Sequence, residues 1–253
     1  MSEMNNRKVA LVTGAGSGIG EAIARRFASD GMAVGVMDID GDSAERVAAS
    51  IRSSGGEALA LTANVAHKGA VDEAVAGLRD AFGPVTVLVN NAAVEGFCPF
   101  ADIDEPQLDR MFDVNLKGVF YTSQSVLPDM EAAAWGRIIN ISAYGAQLVE
   151  GYMGHYYASK GGVISLTRSM AAEFGPKGIT VNSVSPGFID TPMSRRAIEG
   201  GDLPINPEDI YAAYPIPRLG KPEELAAACA FFASEETGYI TAQLLGVNGG
   251  AVG

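Results

Sequence analysis

The chain has little of what would tie it to a metal, a nucleic acid or a membrane. Its 253 residues include two cysteines, Cys98 and Cys229, and two histidines, His67 and His155. The cysteines stand far apart with no ligand cluster nearby. They read as small buried hydrophobes in a reducing compartment, with no disulfide and no metal expected. Basic residues are scarce, 18 Lys and Arg against 30 Asp and Glu, for a net charge of −12. That balance argues against nucleic acid or an anionic membrane as partner. No apolar run approaches a membrane span, and Met1 to Lys8 is polar with no signal-peptide core, so a cytoplasmic setting is expected. Hydrophobic content of 47% and charged content of 19% describe a chain that can bury a full core. No linker, repeat or composition shift divides it, so a single domain over residues 1–253 is expected.

What is present is an alternation of strand-like and helix-like stretches. Strands are expected at Val9–Val12, Ala33–Met37, Glu57–Thr62, Val85–Val89, Arg137–Ile141, Ile179–Val184 and Leu244–Val247. Helical spacing fills the intervals: after Gly20, Asp42–Arg52, Lys68–Phe82, one long region from Glu105 to about Met130, Tyr156–Phe174, and Glu223–Ala233. Residues 191–217 lose regular periodicity and gather Gly, Pro and Tyr. Alternation of this kind predicts an α/β fold, a doubly wound parallel sheet with helices on both faces. Ligands then sit at the carboxyl ends of the strands. The strand-ending features Gly14, Asp38, Asn64, Asn91, Ser142 and Gly187 should line one edge.

The first strand turns through Thr13-Gly14-Ala15-Gly16-Ser17-Gly18-Ile19-Gly20 into a helix. Unpaired N–H groups and the positive end of a helix dipole gather there, which is a phosphate site. The spacing of Gly14, Gly18 and Gly20 is G-x-x-x-G-x-G. A tight turn needs glycine with or without a ligand, so the rest of the chain has to decide. Asp38 closes the second strand. A carboxylate there accepts the hydroxyls of an adenosine ribose and repels a 2′-phosphate. With Ser17 in the turn and no Arg or Lys inside it, NAD is favoured over NADP. Taken alone, Asp38 with Asp40 and Asp42 is a solvated turn and helix cap.

Tyr156 and Lys160 are four residues apart, on one face of a helix. An ammonium near a phenol favours the phenolate, which makes Tyr156 a usable general acid/base. Tyr157 has Gly161 four residues on and lacks that partner. An isolated match of this kind is also a core tyrosine with a snorkelling lysine.

With these motifs in order, the chain resembles the short-chain dehydrogenase/reductase family over essentially its whole length. The matches are Thr13-Gly14-x-x-x-Gly18-x-Gly20, Asn90-Asn91-Ala92, Asn115, Tyr156-x-x-x-Lys160 and Pro186-Gly187. The resemblance implies a Rossmann-type fold whose seven-stranded sheet has the order 3-2-1-4-5-6-7, and a homotetramer. It implies that Tyr156 exchanges the proton, that Lys160 holds the nicotinamide ribose and tunes Tyr156, and that Asn115 supports a water linking the lysine to solvent. The cofactor residues are then Gly14, Gly16, Ser17, Gly18, Ile19, Gly20, Asp38, Asn64 and Val65 at the adenine, Asn91 beside the ribose, and Tyr156 and Lys160. Pro186, Gly187, Ile189 and Thr191 complete them at the nicotinamide end.

The chain departs from the family pattern at Ala93, at Asn248 and in the catalytic serine. The family's serine stands about thirteen residues before the tyrosine, where this chain has Ala143. The expectation is a one-residue shift that puts Ser142 in the site, since strict register would turn it away from Tyr156. The alternative is that Ser142 is structural and the site works with Ala143, or with Tyr144 or His155 in the serine's place. The substrate pocket is expected to be built by Glu95–Phe100, Tyr144–Tyr152 and 191–217 as a lid, using Ser142, Tyr144, Tyr152, Phe97, Phe188 and Met193 and lined as well by Tyr211 and Tyr214. Arg195 and Arg196 grip a carboxylate or are solvated surface. Glu150-Gly151-Tyr152-x-x-His155-Tyr156 resembles members acting on aromatic secondary alcohols. The expected function is NAD-dependent interconversion of a small-molecule secondary alcohol and a ketone. A 3-hydroxyacyl or polyol substrate, or a non-catalytic dinucleotide sensor, are the alternatives.

Overall fold

A computed structural model describes residues 7–148, 151–199 and 207–252. Strands β1 (Val9–Thr13), β2 (Ala33–Asp38), β3 (Glu57–Thr62), β4 (Val85–Asn90), β5 (Gly136–Ile141), β6 (Ile179–Pro186) and β7 (Leu244–Val247) form one sheet. Its order is β3-β2-β1-β4-β5-β6-β7, and every pair is parallel. Parallel strands need crossovers, and helices supply them on both faces. The apolar runs of the sequence are the buried central strands: all five residues of β1, all six of β5 and all eight of β6 are buried.

One face is covered by α1 (Gly18–Ser29), α2 (Gly41–Ser53) and α9 (Pro222–Ala233), with Ile23, Phe27, Val47, Leu225 and Phe232 in its core. The opposite face carries α3 (Lys68–Phe82), α5 (Gly118–Ala133) and α6 (Gly154–Phe174), contributing Val71, Leu78, Val126, Met130 and Met170. Burying apolar surface on both sides at about 25 cal/mol per Å² is what holds the layers. Cys229 is a fully buried member of the first core, and its thiol is pushed far up by burial.

Two stretches differ from the periodicity reading. The single helix expected from Glu105 to Met130 is α4 (Glu105–Phe112) and α5, joined by a π-helical turn at Asp113–Lys117. A π turn keeps helical spacing of apolar residues nearly intact, so periodicity does not show it. It matters here because it carries Asn115. The irregular 191–217 region contains α7 (Pro192–Glu199) and α8 (Pro207–Ala212), with residues 200–206 of the expected lid outside the described residues. α7 starts with proline, and the N–H of Ser194 donates to Thr191 Oγ1 at 3.2 Å. Ala197 is its one buried residue named in the core, too little for an apolar stripe.

Gly35 in β2 shows how tightly the layers meet. A Cβ there would lie 2.5 Å from Leu78 Cδ2 on α3 and 3.1 Å from Leu61 Cδ1. Gly35→Ala is therefore expected to destabilise the fold by roughly 1–3 kcal/mol, read as a lower urea midpoint with an unchanged slope.

Candidate active site

The carboxyl ends of the strands open on a cleft of about 1280 Å³. Its wall starts at the turn between β1 and α1. Gly14 and Gly18 have φ of +62° and +55°, a region that glycine enters without strain. A side chain at Gly20 would run into the carbonyl of Gly14, so strand and helix meet with no room for one. The turn is clamped from the next strand. Thr13 Oγ1 accepts from the N–H groups of Asn91 and Ala92, both at 3.0 Å. Asn91 Nδ2 donates to the carbonyls of Thr13 at 2.9 Å and Gly14 at 3.1 Å. Asn91, expected beside a ribose, therefore also braces the glycine turn. Ser17, which precedes α1, makes no side-chain cap, so the first N–H groups of the helix keep their donor capacity for a ligand.

Asp38 ends β2 beside this turn. Its Oδ2 accepts from the Gly16 N–H at 2.8 Å and its Oδ1 from the Asp40 N–H at 3.0 Å. A Cβ at Gly16 would lie 2.8 Å from the same carboxylate, so glycine is required there. Asp40, not Asp38, is the helix cap, accepting from Asp42 and Ser43. Sequence reasoning passed over Arg46, which donates to the Gly16 carbonyl at 2.7 Å and pairs with Glu21 at 2.8 Å. An ion pair between two helices leaves no spacing signal in a sequence. Asn64 and Val65 follow β3 and line the same wall. These residues fit a dinucleotide: helix N–H groups for the pyrophosphate, a held carboxylate for the ribose, and one cleft lined both by this wall and by Tyr156 and Lys160.

At the other end stand Tyr156 and Lys160, on successive turns of α6. Lys160 is buried, its Nζ lies 5.9 Å from the Tyr156 ring centre, and it donates to the Ile141 carbonyl at 2.9 Å. Burial pushes its ammonium down to about 8. Burial first, and the charge of Glu95 second, push the Tyr156 phenol above its ordinary value. The sequence argument leads to a lowered Tyr156. Desolvation dominates at this phenol.

Asn115 is fully buried in the π turn. Its Oδ1 accepts from the Val94 N–H at 2.8 Å, and its Nδ2 donates to the Val94 carbonyl at 2.9 Å and to Ser159 Oγ at 3.1 Å. Ser159 in turn donates to the Tyr156 carbonyl at 2.7 Å. Ser159 lies inside the tyrosine–lysine motif and was not singled out, because a helix serine usually bonds its own backbone.

The one-residue shift expected at Ser142 has no counterpart in the hydrogen bonding. The ladder runs on regularly, with the Ser142 N–H donating to the Val184 carbonyl at 2.9 Å. Yet Ser142 still reaches the cleft wall, because Asn140, two residues earlier on the same face, donates to Thr167 of α6 at 2.9 Å. Its face is thus the α6 face. The Ser142 hydroxyl donates to the Val184 carbonyl at 3.2 Å and accepts from Ser183 Oγ at 2.9 Å. Ala143 lines the cleft with a methyl group, and Tyr144 Oη accepts from Tyr214 Oη at 2.9 Å. His155 is buried beside Gly96, does not line the cleft, and leaves Nδ1 as the buried side-chain atom without a partner among the described residues.

Phe97, Tyr152, Phe188, Met193, Pro186, Gly187, Ile189 and Thr191 all line the cleft. Tyr211 does not, and Arg195 is held by Asp190 at 2.7 Å, whereas Arg196 lines the wall. Glu150 lies outside the described residues.

Comparison with known proteins agrees with this geometry. Residues 14–252 match the family model described as enoyl-(acyl carrier protein) reductase. Short-chain reductase protein NovJ of Streptomyces niveus is 39% identical over 98% of this chain and 95% of its own. The 3-oxoacyl-[acyl-carrier-protein] reductase FabG of Thermotoga maritima is 36% identical over 97% of this chain and 98% of its own. Among solved structures, an actinorhodin polyketide ketoreductase with NADPH, carrying a Phe-to-Trp substitution, superposes with a TM-score of 0.93 at 34% identity, covering 99% of both chains. The chain belongs to the short-chain dehydrogenase/reductase family, oxidoreductases that work with a nicotinamide dinucleotide.

Proposed function

We propose that this protein interconverts an apolar or aromatic secondary alcohol and its ketone with NAD(H), as a single domain that assembles into a homotetramer in the cytoplasm. The observation that carries the reading is that Tyr156 and Lys160 open on the same cleft as the glycine turn and Asp38. When bound, the nicotinamide supplies the hydride acceptor for oxidation or the donor for reduction. Tyr156 takes the alcohol proton, and Lys160 stabilises the phenolate once a bound dinucleotide and substrate have displaced water. Ser142 donates to the substrate oxygen, giving up its long 3.2 Å bond to the Val184 carbonyl. Asn115 holds the Val94 backbone, and with it that stretch of the cleft wall.

The choice of NAD rests on the Asp38 carboxylate, oriented by the Gly16 N–H, and on Ser17 in a turn that contains no basic residue. The nearest arginine, Arg46, is paired with Glu21. The apolar substrate rests on Phe97, Tyr152, Phe188 and Met193 in the wall. A second reading, a 3-hydroxyacyl substrate, is favoured by the acyl-carrier reductases among the relatives. The net charge of −12 weighs against docking an acidic carrier.

Three measurements test this. Assays over a panel of secondary alcohols should show NAD+ preferred over NADP+, and Asp38→Ala should shift the kcat/KM ratio toward NADP+ by at least about tenfold, since it removes a charge that repels the 2′-phosphate. Tyr156→Phe should lose turnover while NADH still binds by fluorescence titration; an active Phe variant refutes the proton role. Ser142→Ala should lower kcat by roughly 10²–10³. Unchanged turnover in Ser142→Ala would pass the role to Tyr144, to be read from Tyr144→Phe assayed beside it.

A further inference from the structure

Gly16 is buried behind the cleft wall, and without a side chain it does little to fix its own peptide planes. Two charged side chains fix them from outside. Its N–H donates to Asp38 Oδ2 at 2.8 Å, and its carbonyl accepts from Arg46 Nη2 of α2 at 2.7 Å. Arg46 is held in turn. Glu21, in the first turn of α1, accepts from its Nη2 at 2.8 Å and its Nη1 at 3.2 Å. Arg25, one turn further on, donates to the same carboxylate at 2.8 and 3.0 Å and to Ser50 Oγ of α2 at 2.8 Å. A planar guanidinium forked between a carboxylate and a carbonyl has little freedom to turn.

The peptide joining Gly16 to Ser17 is trans, so its N–H points opposite to its carbonyl. With the carbonyl drawn to Arg46, the Ser17 N–H is turned away from that side. It meets no carbonyl among the described residues. Among those residues the cleft is lined by Ser17 and Asp38, and by neither Arg46 nor Glu21. Arg46 therefore reaches the site through the backbone of one glycine and not by touching what binds there.

Resting on the reading of this cleft as a nicotinamide dinucleotide site, we propose that Arg46 is a positioning residue for the cofactor. By holding the Gly16 carbonyl it aims the Ser17 N–H at the pyrophosphate, beside the first N–H groups of α1. It also keeps the Gly16 N–H on the carboxylate of Asp38, which receives the adenosine ribose. A glycine turn ordered before the ligand arrives loses less entropy on binding, and that is what Arg46 contributes.

The test is calorimetric titration of wild type, Arg46→Met and Glu21→Gln with NADH, NADPH and ADP-ribose. ADP-ribose shares the adenosine ribose and the pyrophosphate with NADH and lacks the nicotinamide. Arg46→Met removes the donor to Gly16, whereas Glu21→Gln removes the ion pair and leaves that donor in place. Urea unfolding shows beforehand that each variant is folded. Arg46→Met should weaken NADH and ADP-ribose alike by about tenfold, the scale of one hydrogen bond to a charged group. Glu21→Gln should bind both no more weakly than wild type. Equal losses in the two variants assign Arg46 to tying α1 to α2 and overturn the proposal. Wild-type affinity in Arg46→Met overturns it as well, and so does a loss confined to NADH. A deficit that closes to within about twofold in about 0.5 M salt assigns the effect to plain charge attraction and overturns it too. NADPH separates this inference from the choice of cofactor. A wild type that binds NADPH more tightly than NADH removes the NAD reading, and Arg46 is then judged by the same fold-changes measured with NADPH.

Discussion

A side chain at Gly20 would collide with the carbonyl of Gly14, and one at Gly14 would lie 2.8 Å from the Cα of Ala92. This crowding, where β1 passes into α1, is the constraint on which the rest of the site depends. It allows the helix to start directly under the sheet edge, so that its free N–H groups face the cleft. It also brings Asn91 and Thr13 within hydrogen-bonding distance, which locks β4 to the turn. With β4 fixed, the loop that follows it lines the cleft with Ala93, Val94, Glu95 and Phe97 and packs Gly96 against His155 of α6.

The same loop ties the two ends of the site together. Asn115 reaches it from the π turn, and through Ser159 reaches the carbonyl of Tyr156. Three elements that are distant in sequence thus share one buried amide. The cost is visible in the proton affinities. Lys160 is buried with its ammonium on the Ile141 carbonyl, and burial lowers it to about 8. Tyr156 is pushed the other way.

Much of the fold was legible. The seven expected strands became the seven strands, with ends displaced by at most two residues; in the central strands, buried on both faces, a continuous apolar run is what the position requires. β3, α3 and β7 agree in full with the periodicity reading. What periodicity missed has physical reasons. A π turn preserves apolar spacing, and a helix such as α7, with one buried residue named in the core, leaves no stripe. For the site, every assigned residue except Asn115, Gly16 and Gly20 lines the cleft, and those three lie directly behind it.

By itself the sequence determined the alternation of strand and helix, the position of the glycine turn and the pairing of Tyr156 with Lys160, since each depends on residues within a few positions of one another. Only the tertiary structure decided what is set by contacts across the chain. The direction of the Ser142 hydroxyl depends on β6, the orientation of Asp38 on Gly16, and the placement of the Val94 backbone on Asn115. Local spacing says which residues share a face; it carries no information about which partner, tens of residues away, will take their hydrogen bonds.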